Sequence, residues 1–163
     1  MLKIILTFLM LQMPAGMTHD EHLKQMAKED AMKKRGAAAM GFDQDATVHR
    51  FRLAPDGGSI EVDARNTTDA TGRTAIRTHL KEIGSQFAHG DFSKPLITHA
   101  ENPPGAARMA ELQSAIRYEY EDTKGGGRVR IRSANADAIR AVHEFLRYQI
   151  REHHTGDVTT TPR

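Results

Sequence analysis

The stretch "AVHEFLRYQIREHHTGD", Ala141 to Asp157, carries His143, His153 and His154 on or just past one amphipathic helix. Imidazole is the commonest metal-ligating side chain and the usual acid or base near neutral pH, so these residues are the first candidates for chemistry. Their spacing excludes a site internal to the run. His143 and His154 point almost the same way but lie about 16 Å apart along a helix axis, whereas helices chelate through residues one turn apart. A site must therefore draw on other elements. Among the nine histidines, His49 falls on the inward face of a strand, His79 flanks an apolar helical stripe, His89 sits near that helix's end and His99 lies in a long irregular segment. Neutral imidazoles converging at one end of a sheet suit Zn(II) or Cu, and His49, His79 and His143 form the candidate set within the body of the chain. The competing expectation for each is a half-buried ring satisfied by a carbonyl or carboxylate.

A separate metal reading concerns the amino-terminal segment. "MLKIILTFLMLQMPAG" has one cation, Lys3, then an uncharged run from Ile4 to Met13 and small residues at Ala15 and Gly16, the pattern of a short secretory signal peptide over residues 1–16. The run is too short to span a bilayer as a helix, so a periplasmic or secreted protein with no membrane span is expected; translation from Met17 would instead give a cytoplasmic one. Cleavage after Gly16 would leave Met17-Thr18-His19, and a free amine with His at the third position can wrap Cu(II) or Ni(II) in a square of nitrogens. His19, His22 and Met26 would also share one helical face, a soft set suited to Cu(I). The alternative is a solvated polar arm.

The elements that must position these side chains follow from hydrophobic period. Asp20 to about Ala39 reads as a polar helix with Leu23 and Met26 on a thin apolar stripe. "VHRFRL" puts His49, Phe51 and Leu53 on one face of a strand, "SIEVDA" does the same with Ile60, Val62 and Ala64, and "APDGG" between them is turn chemistry. Caps within Thr67 to Thr71 precede a helix to about Phe87 whose Ile76, Leu80, Ile83 and Phe87 share a face. "HGDFSKPLITHAENPPG" reads as a long loop, followed by a short helix through Met109. "IRYEYE" and "RVRIRS" form a second hairpin around "DTKGGG", with Tyr118 and Tyr120 inward, and a last helix runs from about Ala136 to His153.

The return of the pattern reads as an internal repeat. Gly36 to Ala64 lies over Gly105 to Ser133 without a gap, matching Met40 with Met109, Gln44 with Gln113, Gly57 and Gly58 with Gly126 and Gly127, and Ile60 and Val62 with Val129 and Ile131. "AIR" at Ala75 and at Ala138 then opens each helix. The outward charges suggest Arg52 against Glu61 and Arg50 against Asp63 in the first hairpin, and Glu121 against Arg128 and Glu119 against Arg130 in the second. The signs reverse between copies. First beside third, or second beside fourth, would therefore face opposite charges, whereas first beside fourth would juxtapose arginines. The expectation is an α+β two-layer sandwich: a four-stranded, mainly antiparallel sheet with helices on one face and a salt-bridged opposite face. The domain plan is a leader, a helical arm over residues 17–40, one α+β domain over residues 41–157 and a disordered tail over residues 158–163.

Other chemistry is thin. The absence of Cys removes disulfides, thiolate metal sites and Cys nucleophiles. A formal net charge of +2 is no nucleic-acid footprint, and Arg117, Arg128, Arg130 and Arg132 face acids on neighbouring strands. "DGGS" and "KGGGR" read as hairpin tips rather than phosphate cradles, and no paired-carboxylate or Ser/His/Asp pattern stands out. In the blocks "MGFDQDATVHRF", "GDFSKPLITHAE" and "AVHEFLRYQIREHHTGD" the chain resembles a group of small, uncharacterised, often exported bacterial proteins, over most of Met40 to Asp157. Some of that group carry the label aspartate carbamoyltransferase, but the S-T-R-T-R type and H-P-x-Q type motifs of that enzyme are absent, so no catalytic residue is carried over. The leading expectation is a non-enzymatic exported module for a ligand or partner. A periplasmic Cu, Zn or Ni protein and a small enzyme with a His acid or base are the alternatives.

Overall fold

A computed structural model describes residues 18–162; the expected leader lies outside them. The chain divides into two units, Met1–Ala31 and Met32–Arg163. What is described of the first is the opening of helix α1 (His19–Met40), where Thr18 and Glu21 form a reciprocal cap: the Glu21 carboxylate accepts the Thr18 N–H at 2.8 Å and the Thr18 hydroxyl accepts the Glu21 N–H at 3.3 Å. His19, Leu23 and Met26 of that unit are exposed.

The second unit holds the end of α1 and then β1 (Thr47–Ala54), β2 (Gly57–Ala64), α2 (Ala70–Ala88), α3 (Ser93–His99), α4 (Ala106–Glu111), β3 (Ile116–Asp122), β4 (Gly126–Ser133) and α5 (Ala136–Glu152). The strands form one antiparallel sheet in the order β1-β2-β4-β3. Second beside fourth is thus the neighbour pair. Phe51, Val62 and Ile131 on the inward face are buried with Leu80, Phe87, Val142, Phe145 and Leu146 of the helices, which is the expected two-layer α+β sandwich.

The second hairpin has the expected register, with Tyr120 opposite Val129, Glu121 opposite Arg128 and Glu119 opposite Arg130. The first does not. Ala54 pairs with Gly57, so only Pro55 and Asp56 form the turn, Gly57 and Gly58 join the strand, and Arg50 rather than Arg52 stands opposite Glu61. The outward face is accordingly centred on Glu61, a buried carboxylate on a central strand. It takes Arg50 Nη1 at 3.0 Å from one side and Arg128 Nε at 2.7 Å from the other, with Arg128 Nη2 also in contact. Asp63 accepts Arg50 at 2.7 Å and Glu121 accepts Arg128 at 2.7 Å.

The two halves are the same ββα unit. The 3₁₀ turns Gln44–Ala46 and Gln113–Ala115 and the starts of all paired strands fall at the positions that the gapless alignment equates. A Cβ on Gly57 would lie 2.2 Å from the Ile131 carbonyl oxygen, and one on Gly126 would lie 2.1 Å from that of Val62. The β2–β4 seam therefore repeats the same close approach at both ends, and only Gly permits it. In the helices the correspondence differs from the "AIR" match. Asp69 caps α2 by accepting the Gly72 N–H at 2.8 Å, and Asn135 caps α5 by accepting the Ala138 N–H at 3.1 Å. Equating the caps places Ala75 with Ala141 rather than Ala138, and aligns Ile76, Leu80 and Phe87 with Val142, Leu146 and His153. Packing agrees: Leu146 closes on Gly58 and Leu80 on its counterpart Gly127. Each helix lies mainly over the hairpin of the other half, α2 on β3 and β4, α5 on β1 and β2.

Replacing Glu61 by Ala should lower unfolding free energy by about 2 kcal/mol, because it leaves two half-buried guanidiniums facing each other without their shared anion. Urea denaturation of Glu61→Ala beside Glu121→Ala, whose carboxylate is exposed and should matter by less than about 1 kcal/mol, measures the contrast.

Candidate functional site

A cavity of about 60 Å³ lies between sheet and helices within the second unit, and its wall includes His49, His79, His99 and His153. β1 supplies His49 by the same alternation that buries Phe51. α2 supplies His79 one residue before the fully buried Leu80. His153 directly follows α5, continuing the face that carries Val142, Leu146 and Gln149. His99 ends α3, inside the segment expected to be a loop. That segment is helical because the Asp91 carboxylate accepts the Ser93 N–H at 2.9 Å and Pro95 sits in the first turn, where its missing N–H costs nothing. Arg35 Nε on the Thr98 carbonyl (3.1 Å) and Lys94 Nζ on the Ala39 carbonyl (3.2 Å) tie α3 to the end of α1.

The rings are in mutual contact. His153 stacks on His49 with centroids 5.3 Å apart and 13° between planes, and meets His99 edge-on at 5.2 Å. Phe42 lies against both His49 (6.4 Å) and His79 (5.5 Å). Hydrogen bonds assign two tautomers. The Thr47 hydroxyl gives its one proton to the Gln44 carbonyl at 2.8 Å, so at 3.3 Å it accepts from His49 Nδ1–H, leaving Nε2 as the basic nitrogen. His99 Nε2–H donates to Gln149 Oε1 at 3.1 Å. Gln149 Nε2 and His79 Nδ1 are buried with no hydrogen-bond partner.

Burial holds His49, His79 and His153 neutral. Desolvation, with Arg65 adding to it, lowers His49 to about 4; desolvation and then Lys94 lower His79 to about 4. His153 falls well below its ordinary value through desolvation and the nearness of His49, His99 and His154. No Asp or Glu lines the cavity to offset this.

Of the residues singled out from sequence, His49, His79 and His99 come to this cavity and His143 does not. His143 Nε2–H donates to the Ala54 (2.9 Å) and Gly57 (3.0 Å) carbonyls, fastening α5 to the tip of the first hairpin. His89 is exposed, its Nδ1 on the Ser85 carbonyl at 2.8 Å. His19 and His22 belong to the other unit. Among the described residues no group of three His, Cys, Asp or Glu is arranged to hold a metal ion. The set His49, His79 and His143 formed from sequence omits His99, named there only as a loop residue, together with Gln149 and His153. Their signals were the Asp-x-Ser-x-Pro helix start before His99 and the lone imidazole and amide extending an apolar stripe on α5. Family models, curated proteins and solved structures give no match to this chain. No helix among the described residues is long and apolar enough to cross a membrane.

The buried imidazoles make stability depend on acid. Because folding lowers their affinity for protons, their contribution is complete above about pH 6.5, where both states are neutral, and is lost as pH falls toward 4. His79 alone accounts for about 3 kcal/mol over that window. Urea midpoints at pH 7, 5.5 and 4.5 should fall in that order, with a shallower decline in His79→Phe.

Proposed function

We propose that the protein is an exported, non-enzymatic binding module that takes a small ligand into the imidazole cavity between sheet and helices. The observation that carries this reading is the comparison of the two halves. The positions of His49, His79 and His153 correspond in the other half to Tyr118, Phe145 and Phe87. There Phe87 packs against Tyr118 at 6.0 Å, Phe145 at 5.8 Å and Phe92 at 4.3 Å. Corresponding positions of the two halves thus carry aromatic carbon in one and imidazoles in the other, and Phe87 and Phe145 line the same cavity as His49, His79 and His153. Buried polar rings without full hydrogen bonding destabilise a fold relative to hydrocarbon of the same shape. Retaining them on a scaffold that does not need them supports a binding role, in line with the general expectation that a concave, mostly apolar pocket with a few convergent polar groups is a ligand site. The uncharged run from Ile4 to Met13 supports export.

The double substitution His49→Phe with His153→Phe tests this by giving the first half the aromatic carbon of the second. It should raise the urea midpoint at pH 7, by about 1 kcal/mol or more in unfolding free energy. A fall in stability of similar size would mean the imidazoles are structural members, and the binding reading would go.

A further inference from the structure

We propose that the imidazole cavity takes up a small carboxylate, of acetate to glycolate size, together with one proton. This rests on reading the cavity as a binding site and adds the chemical class of its occupant.

The charge of the wall is the first argument. Its ionisable groups are imidazoles and the Lys94 ammonium, with no Asp or Glu among them, and the nearby Glu82 carboxylate is held by Lys94 at 2.7 Å. The second argument is the pair of polar atoms left over. Gln149 is 5% exposed and His79 7%; with Gln149 Oε1 engaged by His99, the amide Nε2 and the imidazole Nδ1 remain buried without a hydrogen-bond partner, on two residues that both line the cavity. Each such orphan is costly until something bonds to it. The amide nitrogen can only donate, so the occupant must present an acceptor. An imidazole carrying a proton at Nδ1 asks for a second acceptor, and a carboxylate brings both oxygens on one carbon.

Size is the third. At about 10–15 Å³ of such volume per water, a 60 Å³ cavity has room for about four to six water-sized positions, which suits an ion of four or five non-hydrogen atoms. The proton follows from the need for a counter-charge. Lys94 is already bonded to the Glu82 carboxylate at 2.7 Å and the Ala39 carbonyl, and burying an anion without a cation of its own is costly. An imidazole that is neutral in the empty cavity then becomes the cation. His79 is the ring with the spare nitrogen facing this need. The charged and titratable groups acting on it are Lys94 of α3, Glu82 of α2 and His49 of β1. His49 is acted on by Arg65, and His153 by His49, His99 and His154. The Asp157 carboxylate, beyond α5, is occupied by the Phe51 N–H at 2.9 Å.

Isothermal titration of the purified full chain with sodium acetate and sodium glycolate, against acetamide as an uncharged match in shape, tests this between pH 7 and 5. The expected result is one site whose affinity for the carboxylate rises about tenfold for each unit of falling pH, as uptake of one proton requires, confirmed by differing heats in buffers of different ionisation enthalpy. Gln149→Leu should weaken acetate at least about tenfold, and His79→Gln should flatten the pH dependence while the variant keeps its native ¹H–¹⁵N spectrum. Acetamide binding as tightly as acetate with no pH slope would overturn the anion and leave the cavity reading standing. Binding of Zn(II) or Cu(I) with proton release, and no response to acetate, would replace the proposal by a metal site. Failure of every probe overturns it as well, and the His49→Phe/His153→Phe stability result then decides separately whether the cavity binds anything.

Discussion

The pairing of β2 with β4 is the constraint on which the rest of the molecule is built. Gly57 and Gly126 let the two central backbones approach at either end of that seam, and Ile60 faces Val129 between them. Once these strands pair antiparallel, each half's outer strand is placed at an edge and each half's helix is carried across onto the opposite hairpin. Leu80 and Leu146 then seat on Gly127 and Gly58, where a larger side chain would hold the helices off the sheet. The Glu61 carboxylate works on the other face of the same seam, joining Arg50 of β1 to Arg128 of β4 across the central strand. Hydrocarbon seals one side of the sheet and a shared ion sets the lateral order on the other.

The two halves contribute different side chains to one core at corresponding positions. Phe87, Phe92, Phe145 and Tyr118 pack ring on ring. Imidazoles stand at the corresponding positions of the other half, beside Phe87 and Phe145 on the cavity wall, where α3 adds Lys94, Thr98 and His99. The departure from the shared pattern is chemical rather than architectural. The order of strands and helix is the same in both halves, while side chains at corresponding positions change from aromatic carbon to imidazole.

The histidines divide by what surrounds them. His143 has two carbonyls in reach and acts as a clasp between α5 and the first hairpin. His49, His99 and His153 mostly have one another, in contacts of ring on ring. Burial keeps His49 and His153 uncharged and so ties the fold to neutral pH.

Alternation and periodicity in the sequence determined the strands, both hairpins and the two-layer architecture, because those features depend on local spacing of oil and charge; the sign of facing ladders allowed first beside third or second beside fourth, and the tertiary structure took the second. Glycine pairs at Gly57 and Gly126 marked the repeat for the same reason. The first hairpin's register escaped that reading because Pro55 and Asp56 suffice for the turn and the glycines are used in the strand, a choice made by the close approach to β4. The helical correspondence escaped it too, since caps rather than matching letters set where a helix begins. Tertiary structure alone decided which imidazoles meet. His49, His79, His99 and His153 are far apart in sequence and come from β1, α2, α3 and the end of α5. Their convergence depends on helices crossing to the opposite hairpin and on a short helix docking over the gap, and no local pattern encodes a distance between elements.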